Sequence, residues 1–160
     1  MNKVLFFSPY YGIIDWAKNN YFLKKKVFKN SDIRSINCNS IFDENCVAIQ
    51  AHSGKFSKQQ ICKRCISNRK YYNKDNKEFI IEDYINIEDK KNIEKVLKKI
   101  TRKNFLKFEF QGFKIGRISV HENFIGFRKE NFKLNIFEFT QLKKSMRNIL
   151  FNIFSLNKIV

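Results

Sequence analysis

Proline and glycine are scarce. Pro9 is the only proline and glycine occurs five times, which excludes collagen-like, mucin-like and linker compositions. No run approaches the roughly 18 consecutive apolar residues that a membrane-crossing helix needs. The opening MNKVLFFSPYYG carries only a short apolar run, closed by Ser8 and Pro9, too short for the core of a secretory signal. A cytoplasmic protein is expected, with peripheral attachment at the inner membrane face left open. Acidic side chains are also few: 15 against 32 basic ones, a formal net charge of +17. Such a field draws polyanions and anionic membranes alike, so it does not choose between nucleic acid, lipid headgroups and sugar nucleotides.

Apolar and aromatic residues are plentiful, at 43% and 16% of 160 residues, enough for the core of one domain spanning 1–160. Val4 to Phe7 reads as a buried parallel strand. Ile13, Trp16, Ala17, Phe22, Leu23 and Val27 then suggest a helix ending in the basic stretch Lys24–Lys26. A second strand over Ile33 to Asn37 completes a βαβ opening. Ser57 and Gln60 stand in capping-box spacing ahead of another helix, Phe79 to Ile81 is a weak strand, and Asn86 with Asp89 fits a further cap. Ile93, Val96, Leu97 and Ile100 form the apolar stripe of the helix that follows. Alternation from Leu106 to Phe110, Gly112, and then Phe113, Ile115, Ile118 and Val120 predict a β-hairpin. Leu142, Met146, Ile149, Ile153, Leu156 and Val160 predict a C-terminal helix over about 138–160, opposite Lys143, Lys144, Arg147 and Lys158. Its polar face and the Lys24–Lys26 stretch are candidates for contact with anionic lipid.

All four cysteines fall in one window: Cys38, Cys46, Cys62 and Cys65, with seven, fifteen and two residues between them. A C-x-x-C pair presents two thiolates from one turn, and two dispersed thiolates can complete a tetrahedral Zn²⁺ shell. Structural zinc is therefore expected at Cys38, Cys46, Cys62 and Cys65. An iron–sulfur cluster, a disulfide or redox pair, and unligated buried thiols are the alternatives. His52 is a possible replacement for one thiolate.

Several stretches, KVLFFSPYYGIIDWA, INCNSIFDENC with ICKRCISNRK, FIIEDYINIEDKKNIEKVL and NFLKFEFQGFKIGRISVHENFIGFRK, resemble in order and spacing the N-terminal region of bacterial capsule and surface-polysaccharide biosynthesis proteins. The resemblance covers nearly the whole chain, and the cysteine window and GFKIGRISVHE are its most specific parts. It implies a Rossmann-like, GT-B glycosyltransferase-type N-terminal domain of α/β class, with a cysteine-rich insertion over 38–65. It also implies that a donor-binding second domain lies beyond the chain or comes from a companion chain, so that this part alone is inactive. His121 stands where the family would have tyrosine. On that reading the domain faces a saccharide or lipid-linked acceptor. The carboxyl ends of the strands then place Ser8, Tyr10, Tyr11, Gly12 and Cys38 near the cleft, with Asp15 and Arg117 as further acceptor contacts. Asp15 can serve as general base or simply complement a helix dipole, while Tyr10, Tyr11 and Trp16 can bind or merely pack. The other reading is a noncatalytic, zinc-stabilised basic module that binds nucleic acid.

Overall fold

The computed structural model describes residues 2–7, 10–42, 46–52, 54–73, 77–120 and 134–159. The chain is mixed α/β and divides into two compact units, one made of Met1–Ile41 with Val47–Asp83, the other of Phe42–Cys46 with Tyr84–Val160.

In the first unit, β1 (Lys3–Phe7), β2 (Asp32–Asn37) and β3 (Lys77–Ile80) form a parallel sheet in the order β1-β2-β3. Val4 pairs with Ile33, Phe7 with Ile36, and Ile36 with Phe79. Parallel neighbours need a long crossover. Helix α1 (Ile14–Phe22), prolonged by a π-helical turn over Leu23–Val27, supplies the first. The second contains α2 (Val47–Ala51) and α3 (Lys58–Tyr72). Val47–Ala51 and Lys58–Tyr72 thus lie in the connection that lets β3 run parallel to β2, and nothing in the fold marks the cysteine window as an insertion among the described residues. Ser57 and Gln60 do form the capping box at the start of α3. Ile36, Ile61 and Ile81 are fully buried in this unit.

Sequence spacing turned the wrong side of α1 inward. The buried positions are Ala17, Asn20 and Lys24, while Trp16, Phe22, Leu23 and Val27 are exposed. The inward stripe still has helical period, at i, i+3 and i+7, but it is built from a small side chain, an amide and an ammonium.

The second unit begins with a 3₁₀ turn shared with the first (Ile81–Tyr84) and continues into α4 (Ile87–Lys99), capped reciprocally by Asn86 and Asp89. α5, described over residues 115–120, and α6 (Ile136–Ile159) complete it. Lys158 pairs with Asp89 and Arg147 with Glu94, the latter at 2.8 Å, so α6 runs antiparallel to α4. Ile93, Leu97, Ile100, Phe105, Ile115, Leu142, Met146 and Leu150 are its core. The predicted hairpin contracts to one antiparallel bridge, Phe110 with Phe113, around Gln111 and Gly112, both at positive φ. Its returning strand is helix instead, because Ile115 and Ser119, four apart, are the inward positions. Phe110 stacks on Phe154 at 5.6 Å. Among the described residues no helix is long and apolar enough to cross a membrane.

Candidate functional site

The carboxyl edge of the parallel sheet carries two loops, and in each the backbone is gripped by side chains from elsewhere in the same unit. After β1, the Gly12 amide donates to Cys65 Sγ at 3.0 Å, and its carbonyl accepts from His52 Nε2 at 3.0 Å. The preceding carbonyl, of Tyr11, accepts from Asn68 Nδ2 at 2.8 Å. A Cβ at Gly12 would stand 3.2 Å from Ala48 Cβ, so glycine is what lets the loop close on α2 and α3. After β2, the Glu82 carboxylate accepts from the amides of Asn39 at 2.5 Å and Ile41 at 2.7 Å. Between them Ser40 is held at φ 91, a left-handed conformation that costs a non-glycine residue energy. Burial pushes the Glu82 carboxyl above its ordinary range, against those backbone hydrogen bonds and the charge of Arg69.

Beneath these loops lies a polar network that sequence reasoning missed. Lys24 is only 2% exposed, and its ammonium donates to Tyr11 Oη at 3.1 Å, Ser35 Oγ at 2.6 Å and Asn73 Oδ1 at 2.5 Å. Those three acceptors match the three N–H bonds of a charged lysine. Asn73 passes the contact on through its Nδ2 to Glu78 Oε1 at 2.6 Å. Glu78 Oε2 lies 3.4 Å from Arg69 Nε, close enough for an ion pair but too poorly aligned for a hydrogen bond, and Arg69 Nη1 donates to the Cys38 carbonyl at 2.9 Å. Burial lowers the Lys24 pKa to about 8, with Glu78 pulling the other way. The signal for this network was the Ala17, Asn20, Lys24 spacing, which an apolar-only reading passes over.

The residues expected at the cleft fare unequally. Ser8 lies outside the described residues, as do His121 and Glu122 of the GFKIGRISVHE stretch. Tyr11 is 1% exposed, with its hydroxyl committed to Lys24, and Gly12 is buried. Tyr10, half-buried, meets exposed Trp16 edge-on at 6.1 Å, and Asp15 between them in sequence is exposed. Tyr10, half-buried, stands on the held loop, and Asp15 and Trp16 face solvent from the first turn of α1. Arg117 is an exposed residue of α5 in the second unit.

None of the four cysteines is in a disulfide. Cys38 follows β2, Cys62 and Cys65 lie on α3, and Cys46, buried, is assigned to the second unit. Among the described residues no group of three or more His, Cys, Asp and Glu side chains is placed to hold a metal ion. Cys65 accepts a backbone hydrogen bond and His52 donates one, so both groups hold the Gly12 loop. Cys62 lines an open depression of about 460 Å³ with Ser40, Lys58, Gln59, Lys63 and Ile66.

Comparison with protein-family models, with curated proteins and with solved structures returned no match.

Proposed function

We propose that this chain is the acceptor-side domain of a glycosyl-transfer apparatus for bacterial surface polysaccharide, of Rossmann-like, GT-B type, holding a saccharide or lipid-linked saccharide at the carboxyl edge of its sheet. The observation that carries this reading is the held loop after β1 with the first turn of α1, from which Tyr10, Asp15 and Trp16 reach solvent while Gly12 and Tyr11 are fixed from behind. In parallel α/β sheets that edge is where ligands bind. Aromatic faces suit the C–H face of a pyranose, since their apolar bodies can be covered while their edges stay wet. A carboxylate beside them accepts from sugar hydroxyls and can take the proton of the hydroxyl that attacks the donor.

The division of labour follows from this chemistry. Tyr10 and Trp16 bind, Asp15 orients and receives a proton, and the Lys24 network keeps the loop in register. The sugar nucleotide is handled by another domain or chain.

Saturation-transfer NMR with a panel of oligosaccharides tests the reading on the purified chain. Saturation of one or more saccharides is expected, lost in Trp16→Ala and weakened in Asp15→Asn. Failure of every saccharide to bind at millimolar concentration would sink the proposal. Turnover of a sugar nucleotide by the chain alone would overturn the assignment of the donor to another part.

A further inference from the structure

Burial of Lys24 leaves the rest of α1 and its π-helical extension with an unusual outer surface. Phe22 is 58% exposed and Val27 57%, beside exposed Lys18, Lys26 and Lys29. Lys18, Phe22 and Lys26 follow at four-residue intervals, so all three lie on the side opposite Ala17 and Asn20. The π-turn adds to this: its wider i to i+5 closure, visible in the Phe28 amide donating to Leu23 O at 3.0 Å, brings Lys26 and Val27 round below Phe22. Asp15 is the only acidic residue from Ile14 to Asn30.

We infer that this outer surface of α1 and the π-turn is a docking surface for an anionic lipid bilayer. Large apolar side chains that protrude among lysines match the two layers of such a membrane. Phe22 and Val27 enter the acyl boundary while Lys18, Lys26 and Lys29 stay with the phosphates. The charge selects this occupant. A protein partner covering Phe22 and Val27 would have to bring its own acids to the lysines, whereas an anionic leaflet supplies them at any orientation. The surface also differs from the two anticipated from sequence. Lys24 is withdrawn from the basic stretch, and α6 is buried on most sides, with Lys143 and Lys144 half-buried. The inference stands apart from the saccharide reading, because it needs no glycolipid.

Trp16 is the chain's single tryptophan, 46% exposed at the start of the same helix, so its fluorescence reports contact. The full chain is titrated with phosphatidylcholine vesicles, with and without phosphatidylglycerol, following both Trp16 emission and co-sedimentation. A blue shift and co-sedimentation are expected with the anionic vesicles only. Phe22→Ser with Val27→Ser should weaken binding roughly tenfold or more. Neutralising Lys26 and Lys29 to Gln should cost about fivefold for each lysine. These residues are exposed, and circular dichroism confirms that each variant folds. Absence of binding to anionic vesicles overturns the inference. So does binding that neither pair of substitutions weakens, which would be diffuse attraction of the charge of +17. Equal loss of binding to a single-stranded RNA probe in the lysine variant, with the apolar pair unaffected on vesicles, would assign the surface to nucleic acid instead.

Discussion

At the scale of single residues, Lys24 decides most. Its pKa in the folded chain is about 8 against 10.5 ordinarily. Between those values the unfolded chain binds more protons than the folded one, so this group makes stability rise with pH across that window and stay level below it. Lys24→Met should remove that slope, which paired urea titrations of both proteins across the window will read as a difference. A variant with the same slope as the parent would show that Lys24 does not titrate there. Asn37 poses the opposite case. It is fully buried, and neither end of its amide has a hydrogen-bond partner among the described residues. Replacing an unpaired buried amide by an apolar side chain of similar shape is neutral or stabilising. Asn37→Leu is therefore expected to hold or raise the urea midpoint, and a loss above about 1 kcal/mol would mean the amide is paired.

Gly116 is the sharpest steric test. A Cβ there would lie 1.8 Å from the Phe105 carbonyl oxygen, a backbone atom that cannot swing aside. Gly116→Ala should cost roughly 3 kcal/mol or more in thermal or urea unfolding, at the severe end for a single methyl. At Ser40, by contrast, the strain is already present. Ser40→Gly relieves the left-handed backbone and should gain a few tenths to about 1 kcal/mol, unless the greater freedom of glycine in the unfolded chain offsets it.

At the scale of elements, the parts legible in the sequence are those whose signals are local. The capping boxes of Ser57 with Gln60 and of Asn86 with Asp89 were readable because each side chain bonds a backbone amide three residues away. The stripe of Ile93, Leu97 and Ile100 was equally direct. The inner face of α1 was not. Its cost of burying Lys24 is offset by Ser35 and Asn73, 11 and 49 residues away, which no local window contains. The hairpin misled for a related reason, since alternating Phe and Ile beside Gly112 also fits a tight turn followed by a helix whose inward residues are Ile115 and Ser119. In the candidate region, Tyr10 lies in the segment after β1 and Asp15 on the first turn of α1, while the burial of Tyr11 behind them was not legible from position along the chain. Ser57→Ala removes one half of a capping box and should lower stability by about 1 kcal/mol. Far-UV circular dichroism during urea unfolding is sufficient to measure it.

At the scale of the whole molecule, charge is the dominant fact. With +17 spread over 160 residues, most pairs of charges repel. Added salt should therefore raise the melting temperature from its low-salt value, since screening shortens the reach of repulsion to about 10 Å near 0.1 M. A melting temperature that falls over the same range would mean that attractive pairs such as Arg147 with Glu94 outweigh the excess of like charge. Asp89 adds a pH dependence of the same sign as that of Lys24, in the acid range. Burial alone would raise its pKa, but the hydrogen bonds from Lys158 and the Asn86 amide, with the Lys158 charge, bring it below the ordinary carboxylate value. Its contribution is thus complete above that value and disappears as pH falls through the folded pKa.

The enclosure of Lys24 has a practical corollary for amine chemistry. Acylating reagents attack the unprotonated amine, and a pKa near 8 leaves more of the Lys24 amine unprotonated than an ordinary lysine has, yet the folded chain buries it. It should be the last of the described lysines to be tagged by an activated ester. The rate at which mass spectrometry sees it tagged then clocks how often α1 lifts from the sheet.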